Sequence, residues 1–465
     1  MRPAPAVLSL LLLLAASPAV PAQEAAEPAP PTQPQDAPAP ADPAQDADAP
    51  VPAADDPDAA DPSGSRIPLA EIQRYVAVYR AIKEAYVDPV DDRFLMQSAI
   101  EGLLMDLDPH SAYLDKAESD SFDEQTTGAY EGIGVELQQQ QDRTLKVVAP
   151  IDGTPAARAG VLAGDVIVAI DGKPIAQVEG SEPLRGPAGS KVTITILREG
   201  RERPFDIEIQ RETIRVTSVR SRMLEPGYGY VRLSTFQADT GADFRKHLDE
   251  LQAKAGGRLR GLVLDLRSNP GGLLTAAVQV ADELLDSGAI VSTRGRVPAS
   301  DTRFDATAGD RLGGAPVVVL VDAGSASAAE VLAGALRDNG RARVVGSRTF
   351  GKGSVQTLLP LGNGDSVKLT TARYYTPSGR SIQASGIVPD VELQPDPKLT
   401  GSDAPATVAG TVSEAALPGH LRGDEEEDEG YRAGSPLPGD APIAAALAEL
   451  KRLAATAAVP GPRRD

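Results

Sequence analysis

Ser327 stands where the apolar run Val317–Val321 passes through Gly324-Ser325-Ala326 into a helix-forming segment, and Lys352 follows 25 positions later between Gly351 and Gly353. A serine at a strand-to-helix turn projects its hydroxyl at the strand's carboxyl end, with the backbone N–H of Ala328 at the positive terminus of the helix. The glycines let the chain fold closely around Lys352, and Phe350 supplies apolar cover. A lysine so enclosed gives up its proton well below the usual pKa of about 10.4. A neutral amine beside a hydroxyl is the base and nucleophile of a hydrolase. Read locally, Ser327-Ala328-Ala329-Glu330 is also a capping box. The two roles are compatible, because both need the serine at the first turn. Gln356 can donate its amide to the lysine or to a substrate carbonyl. Ser268-Asn269-Pro270-Gly271-Gly272 follows the strand at 261–266, and paired glycines expose backbone N–H groups. Ala328 with either Gly271 or Gly272 then makes an oxyanion hole.

Other chemistries find less support. A Ser/His/Asp triad would have to use His110, His247 or His420, of which His247 falls in an amphipathic helix and His420 in a polar tail. The stretch 346–352 approaches a phosphate loop, but Gly353 replaces the magnesium-binding Ser or Thr. The chain has no cysteine and three histidines, which excludes a thiol nucleophile, disulfides, a lipoprotein anchor and thiolate metal sites, and argues against a transition metal. No cofactor is expected.

Of the net charge of −20, ten acids lie in residues 23–65 without a single Lys or Arg, and six more in Asp424–Glu429. The remainder is close to neutral and offers no basic track for phosphates, so nucleic acid is not an expected partner. Arg2, the apolar stretch 7–16 and the small residues Val20-Pro21-Ala22 read as a secretory signal over 1–22, which predicts export, most simply to a bacterial periplasm. No later apolar run reaches about 20 residues, so no further membrane span is expected.

The elements that must position these residues fall into blocks. Residues 23–65 are Ala, Pro and Asp with almost no aliphatic side chain and read as a disordered tether. Residues 66–125 show helical spacing. Residues 126–213 break into short strands separated by glycine turns, a small β domain. Within it, Tyr130-Glu131-Gly132-Ile133-Gly134-Val135 places a glycine loop before a strand, as needed to receive a peptide's terminal carboxylate on successive N–H groups and then its backbone along the strand edge. Strands alternate with helices over 214–395, ending in a hairpin about Gly362-Asn363-Gly364-Asp365. Residues 396–465 are expected to be a flexible acidic tail with helical spacing at 443–455. The class is a multidomain α+β or α/β chain.

Several motifs together resemble the carboxyl-terminal processing proteases, PDZ-containing serine peptidases of family S41 with a Ser/Lys dyad: Asp108-Pro109-His110-Ser111; Pro155–Val161 with Gly164–Gly172; Leu264–Gly272; Gly324–Glu330; Phe350–Gly353 with Gln356; and Gly386–Asp390. The resemblance spans about 68–393. It implies a helical N-terminal segment, a PDZ β domain and a ββα-type, crotonase-like protease core. It further implies Ser327 as nucleophile with Ser325 a bystander, Lys352 as general base, Gln356 as the group that orients the lysine, and Gly132, Ile133, Gly134 and Val135 as the terminus-binding loop. Arg185 enters as a residue that gates the site in some members. Ala329 departs from the serine usual in the motif, outside the dyad. The implied partners are polypeptides with apolar carboxyl termini, and a homodimer or an adaptor protein. The rival reading is a catalytically silent PDZ scaffold that binds termini without cutting; a crotonase-like acyl-transfer enzyme would leave the PDZ unexplained.

Overall fold

The computed structural model of the chain describes residues 67–140, 143–178, 180–395, 412–426 and 432–457. The segments expected to be a secretory signal and a tether lie outside the described residues. Helices α1 (Leu69–Ala85) and α2 (Asp92–Met105) open the described chain, and the short strand β1 (Ala112–Leu114) and helix α3 (Lys116–Thr127) follow. Asp91 caps α2 by accepting the N–H groups of Arg93 and Phe94, and Asp115 with Glu118 forms a capping box on α3.

The β domain is entered through β2 (Ala129–Gly132). Its sheet contains β3 (Val135–Gln139), β4 (Leu145–Pro150), β5 (Val166–Ile170) with the bridging β6 (Lys173–Pro174), β7 (Lys191–Leu197) and β8 (Phe205–Gln210), with the one-turn helix α4 (Pro155–Arg158) after β4. The order is β3-β4-β5-β7-β8, antiparallel throughout, and β9 (Glu212–Arg215) returns to pair with β2 at the domain's neck. Alternation along β7 sends Val192, Ile194 and Ile196 inward, where they pack with Ile133, Val147, Ile167, Ile170 and Ile209.

The α/β body begins with β10 (Val219–Glu225) and β11 (Tyr228–Leu233), then α5 (Thr240–Ala255), β12 (Gly261–Asp265), α6 (Leu274–Asp282), β13 (Ala289–Gly295), β14 (Thr302–Asp305), β15 (Val317–Val321), α7 (Ala328–Asp338), β16 (Ala342–Gly346), β17 (Ser354–Pro360), β18 (Ser366–Tyr375) and β19 (Val391–Glu392). One sheet runs β10-β11-β12-β15-β16-β19, parallel from β11 onward. The other runs β1-β18-β13-β14 with β17 folded back on β18. The hairpin expected about Gly362-Asn363-Gly364-Asp365 forms as β17 and β18.

Five successive apolar residues in β15 demand cover on both faces of the parallel sheet. Val317, Val319 and Val321 meet α5, α6 and α7 in one core, while Val318 and Leu320 face the other side with Tyr228, Tyr230, Val263 and Val345. That second face is closed by α8 (Ala441–Ala457), through Ile443, Ala446 and Leu450. The region expected to be a flexible tail is thus in part structural: residues 412–426 and 432–457 pack on the body. Its helix spacing at 443–455 is an apolar face matched to a sheet that would otherwise expose Tyr228, Tyr230, Val263, Val318, Leu320 and Val345.

Candidate active site

Ser327 follows the carboxyl end of β15 and caps α7 with φ 55° and ψ −118°. A non-glycine residue in that region is strained and is held there only by its surroundings. The surroundings are Glu330, wholly buried on the first turn of α7. Its Oε2 accepts the Ser327 N–H at 2.8 Å and the Lys352 N–H at 2.9 Å, while Oε1 accepts the Gly351 N–H at 2.7 Å and the Thr349 hydroxyl. The capping box read from the sequence is present, but its acid also gathers the lysine loop. Burial pushes the Glu330 carboxyl up to about 7, against the pull of the Thr349 hydroxyl and of the N–H groups of Gly351, Ser327 and Lys352.

Backbone accounting shows how firmly Lys352 is presented. Phe350 N–H goes to Ser325 O at 3.0 Å, Gly351 O accepts Ala384 N–H at 2.9 Å, and Gly353 O accepts Tyr374 N–H at 2.7 Å. Gly353 N–H goes to Gln383 Oε1 at 2.9 Å. A Cβ at Gly353 would stand 2.2 Å from the Gln383 nitrogen, so only glycine fits. The Lys352 side chain has no carboxylate within ion-pair distance among the described residues. Burial, and then repulsion from Lys368, hold its ammonium below the ordinary lysine range, while Glu414, Asp108 and Glu330 oppose the shift. Ser327 Oγ and Lys352 Nζ share no hydrogen bond. Gln356, on β17 beside a bulge, donates its amide to Ser354 Oγ at 3.0 Å and Thr370 Oγ1 at 3.2 Å rather than to the lysine.

The neighbouring serine is occupied otherwise. Ser325 Oγ donates to Leu266 O at 2.8 Å and accepts the Asp322 N–H at 3.0 Å, fully buried. Opposite Ser327 lies the glycine loop. Gly271 has φ +104°, and a Cβ there would sit 2.9 Å from both Ser327 Cβ and Ala326 O and 3.1 Å from Ala328 N. Its N–H is taken by Asn269 Oδ1 at 2.9 Å. The N–H groups of Gly272 and Ala328 have no acceptor among the described residues. The arrangement is a hydroxyl on a strained turn, an enclosed amine and uncommitted N–H donors, which can carry out acyl transfer without a metal.

Residues 227–393 match peptidase family S41, 146–198 the PDZ domain, and 44–118 the N-terminal domain of the activating protease CtpB. A carboxy-terminal-processing protease of Bartonella bacilliformis is 45% identical over 376 residues, covering 80% of this chain and 85% of that one. The chain belongs to the carboxy-terminal-processing proteases of family S41. It is also 36% identical over 335 residues to the carboxy-terminal processing protease CtpA of Bacillus subtilis, covering 71% of each. The solved structure of a photosystem II D1 C-terminal processing protease shares 33% identity, covers 70% of this chain and 93% of that one, and has a TM-score of 0.40. As an S41 serine peptidase with a PDZ domain, the chain is an enzyme.

In the PDZ domain of this S41 peptidase, β3 is the outer strand of its sheet, so one edge is open to an added strand. Gly132 ends β2, and Ile133 and Gly134 form the turn into β3 with N–H groups that meet no acceptor among the described residues. The Ile133 side chain is buried in the domain core, so it does not line an open pocket; Val135 is half-buried against that core. Arg185 pairs with Glu124 of α3 and lies 5.1 Å from the Tyr130 ring centroid, a contact between the PDZ and the helix leading into it. No described helix is long and apolar enough to cross a membrane.

Two parts of the site escaped the sequence reading. Glu330 was legible only as a cap, since nothing in S-A-A-E tells that its acid also holds a loop 21 residues on. The Asp108-Pro109-His110-Ser111 motif was visible as a motif but without a role. Asp108 accepts the N–H groups of His110 and Ser111 and the hydroxyls of Ser111 and Thr370. Burial works against its charge, but these donors outweigh it and hold the carboxyl below its ordinary value.

Proposed function

We propose that this chain is an exported endopeptidase that cuts polypeptides near their carboxyl termini, with Ser327 as nucleophile and Lys352 as general base. The carrying observation is the shared Glu330 carboxylate, which ties the serine turn to the loop of a lysine whose charge is disfavoured by burial. Neutral Lys352 takes the hydroxyl proton as Ser327 Oγ forms a bond to the scissile carbonyl carbon. The carbonyl oxygen becomes an oxyanion on Ala328 N–H and a glycine N–H, for which Gly272 is preferred because Gly271 N–H is committed to Asn269. Collapse expels the amine, which takes the proton from Lys352. Neutral Lys352 then takes a proton from water as the water oxygen attacks the ester carbon, and returns it to Ser327 Oγ as the acyl–oxygen bond breaks and the acid leaves. Each oxyanion donor is worth on the order of 3 kcal/mol in such machinery.

The PDZ domain recruits the substrate's terminal carboxylate to the N–H groups around Gly132–Gly134 and gates the site. The diversion of the Gln356 amide to Ser354 and Thr370 fits a resting enzyme in which substrate binding completes the dyad and brings Gln356 to the lysine. Arg185, paired with Glu124, is a contact through which PDZ movement reaches the body. Incubation of the protein and its Ser327→Ala variant with an unfolded casein-like chain tests the reading. Cleavage by the first alone supports it, and cleavage by neither supports a silent scaffold.

A further inference from the structure

The loop that presents Lys352 is held from outside the peptidase-matched segment as well as from within it. Residues 412–426 lie across it: Glu414 N–H donates to Phe350 O at 3.0 Å, and the Glu414 side chain, wholly buried, accepts Gln383 Nε2 at 2.9 Å. Gln383 is the residue whose Oε1 receives Gly353 N–H, and its amide also donates to Leu421 O at 2.9 Å. One residue therefore braces both flanks of Lys352: its backbone N–H holds Phe350, and its carboxylate holds Gly353 through Gln383. Its other contact is His110 Nε2, at 2.8 and 3.0 Å from the two oxygens. His110 belongs to the same turn as Asp108, which binds Thr370 and so reaches Gln356.

We infer that Glu414 is a positioning residue of the active site, delivered by the segment 412–426 and anchored by His110, so that this strap is part of the peptidase machinery. The inference rests on the Ser327/Lys352 reading. A buried carboxylate paired with the Gln383 amide and the His110 imidazole is not a surface accident: without those partners its burial would be strongly unfavourable. Conversely, the loop without Glu414 loses the acceptor that fixes Gln383, and a loop free to shift by about 1 Å can lower turnover by about 10²-fold. Glu414 also acts through charge. The charges facing Lys352 are Lys368 on β18, Asp108 before β1, Glu330 on α7 and Glu414 on the strap; the three acids favour the ammonium and Lys368 disfavours it. Removing the Glu414 charge therefore makes the amine easier to deprotonate.

The test compares Glu414→Ala and Glu414→Gln in the full chain, using a flexible peptide substrate and the pH dependence of kcat and kcat/KM. Glu414→Ala should lower kcat tenfold or more, up to about 10²-fold, with KM little changed. Glu414→Gln keeps an acceptor and the packing, so it should recover most of kcat while the rise of activity with pH moves to lower pH. A purely structural strap would not move the profile. Wild-type kcat and profile in both variants would overturn the inference, as would equal loss in both with an unmoved profile. Parallel Ser327→Ala and Lys352→Ala variants keep the two levels apart: if they remain active the dyad reading fails, whereas if they are dead the Glu414 pair reports on the strap alone.

Discussion

Ser327 and Lys352 donate their backbone N–H groups to the same atom, Glu330 Oε2, at 2.8 and 2.9 Å. The spacing of the Ser327 turn and the Lys352 loop is thereby set by one buried side chain rather than by two independent loops. It follows that Glu330→Gln should do more harm than a lost helix cap. Glutamine presents an NH2 where a carboxylate oxygen received two N–H groups, and leaving a buried donor unmet costs about 1–3 kcal/mol. A fall in melting temperature together with a drop in kcat of tenfold or more is expected; a variant with unchanged kcat would show that the shared oxygen does not set the geometry.

The two serines should separate cleanly. Ser325→Ala removes a hydroxyl that serves Leu266 O and Asp322 N–H, so it should destabilise the fold by about 1–3 kcal/mol yet leave the enzyme active. Ser327→Ala should fold and be inactive. Thermal melts and peptide cleavage on both variants check this, and an inactive but fully stable Ser325→Ala would reverse the assignment.

In the proposed mechanism Lys352 acts as the neutral amine, so activity should rise with pH as its ammonium loses a proton. Burial and Lys368 lower the pH at which that happens. Substituting Lys368→Met removes the like charge, raises the lysine's proton affinity, and should move the rise to higher pH. An unmoved profile would mean that the rise belongs to another group.

Leu450 on α8 is fully buried against the second face of the parallel sheet. Leu450→Ala should destabilise the protein by about 2–5 kcal/mol, as core truncations do, measured by denaturant unfolding. A change within error would mean that α8 does not cover the sheet in solution.

The PDZ reading predicts discrimination at the substrate's end. Amidating the terminal carboxylate removes the partner of the N–H groups of the Gly132–Gly134 turn, and charge-assisted hydrogen bonds are worth about 1.5–3 kcal/mol. KM for one peptide should therefore rise about tenfold or more on amidation. Equal KM for the free and amidated forms would remove terminus recognition from the account.

Much of this was legible in the chain because the signals are local. The run Val317–Val321 reads as a strand, Ser327 as a helix cap, and the glycines around Lys352 and at 271–272 as points of close backbone approach, and each stands where the sequence places it. What could not be read are relations across long separations. The donors that meet Glu330 and Glu414 come from loops that approach them only after folding. The acidic composition at 424–429 hid neighbours that dock, although five successive apolar residues in β15 already required a cover on the far face, and Ile443, Ala446 and Leu450 were the apolar stripe left to provide it. Ile133 misled in the other direction: its backbone lies in the turn before β3, but its side chain belongs to the core.

The central claim is that Lys352 serves as a base, and the most direct measurement is the cleavage rate of an unfolded casein-like substrate by Lys352→Arg across neutral to alkaline pH. A guanidinium keeps its charge throughout this range and cannot accept the serine's proton. The account predicts that Lys352→Arg, folded like the parent by thermal melting, is as inactive as Lys352→Ala at every pH at which the parent cuts. Parent-like cleavage by the arginine variant would contradict it, because the site would then need only a positive charge at position 352 and the proton would have to leave by another route.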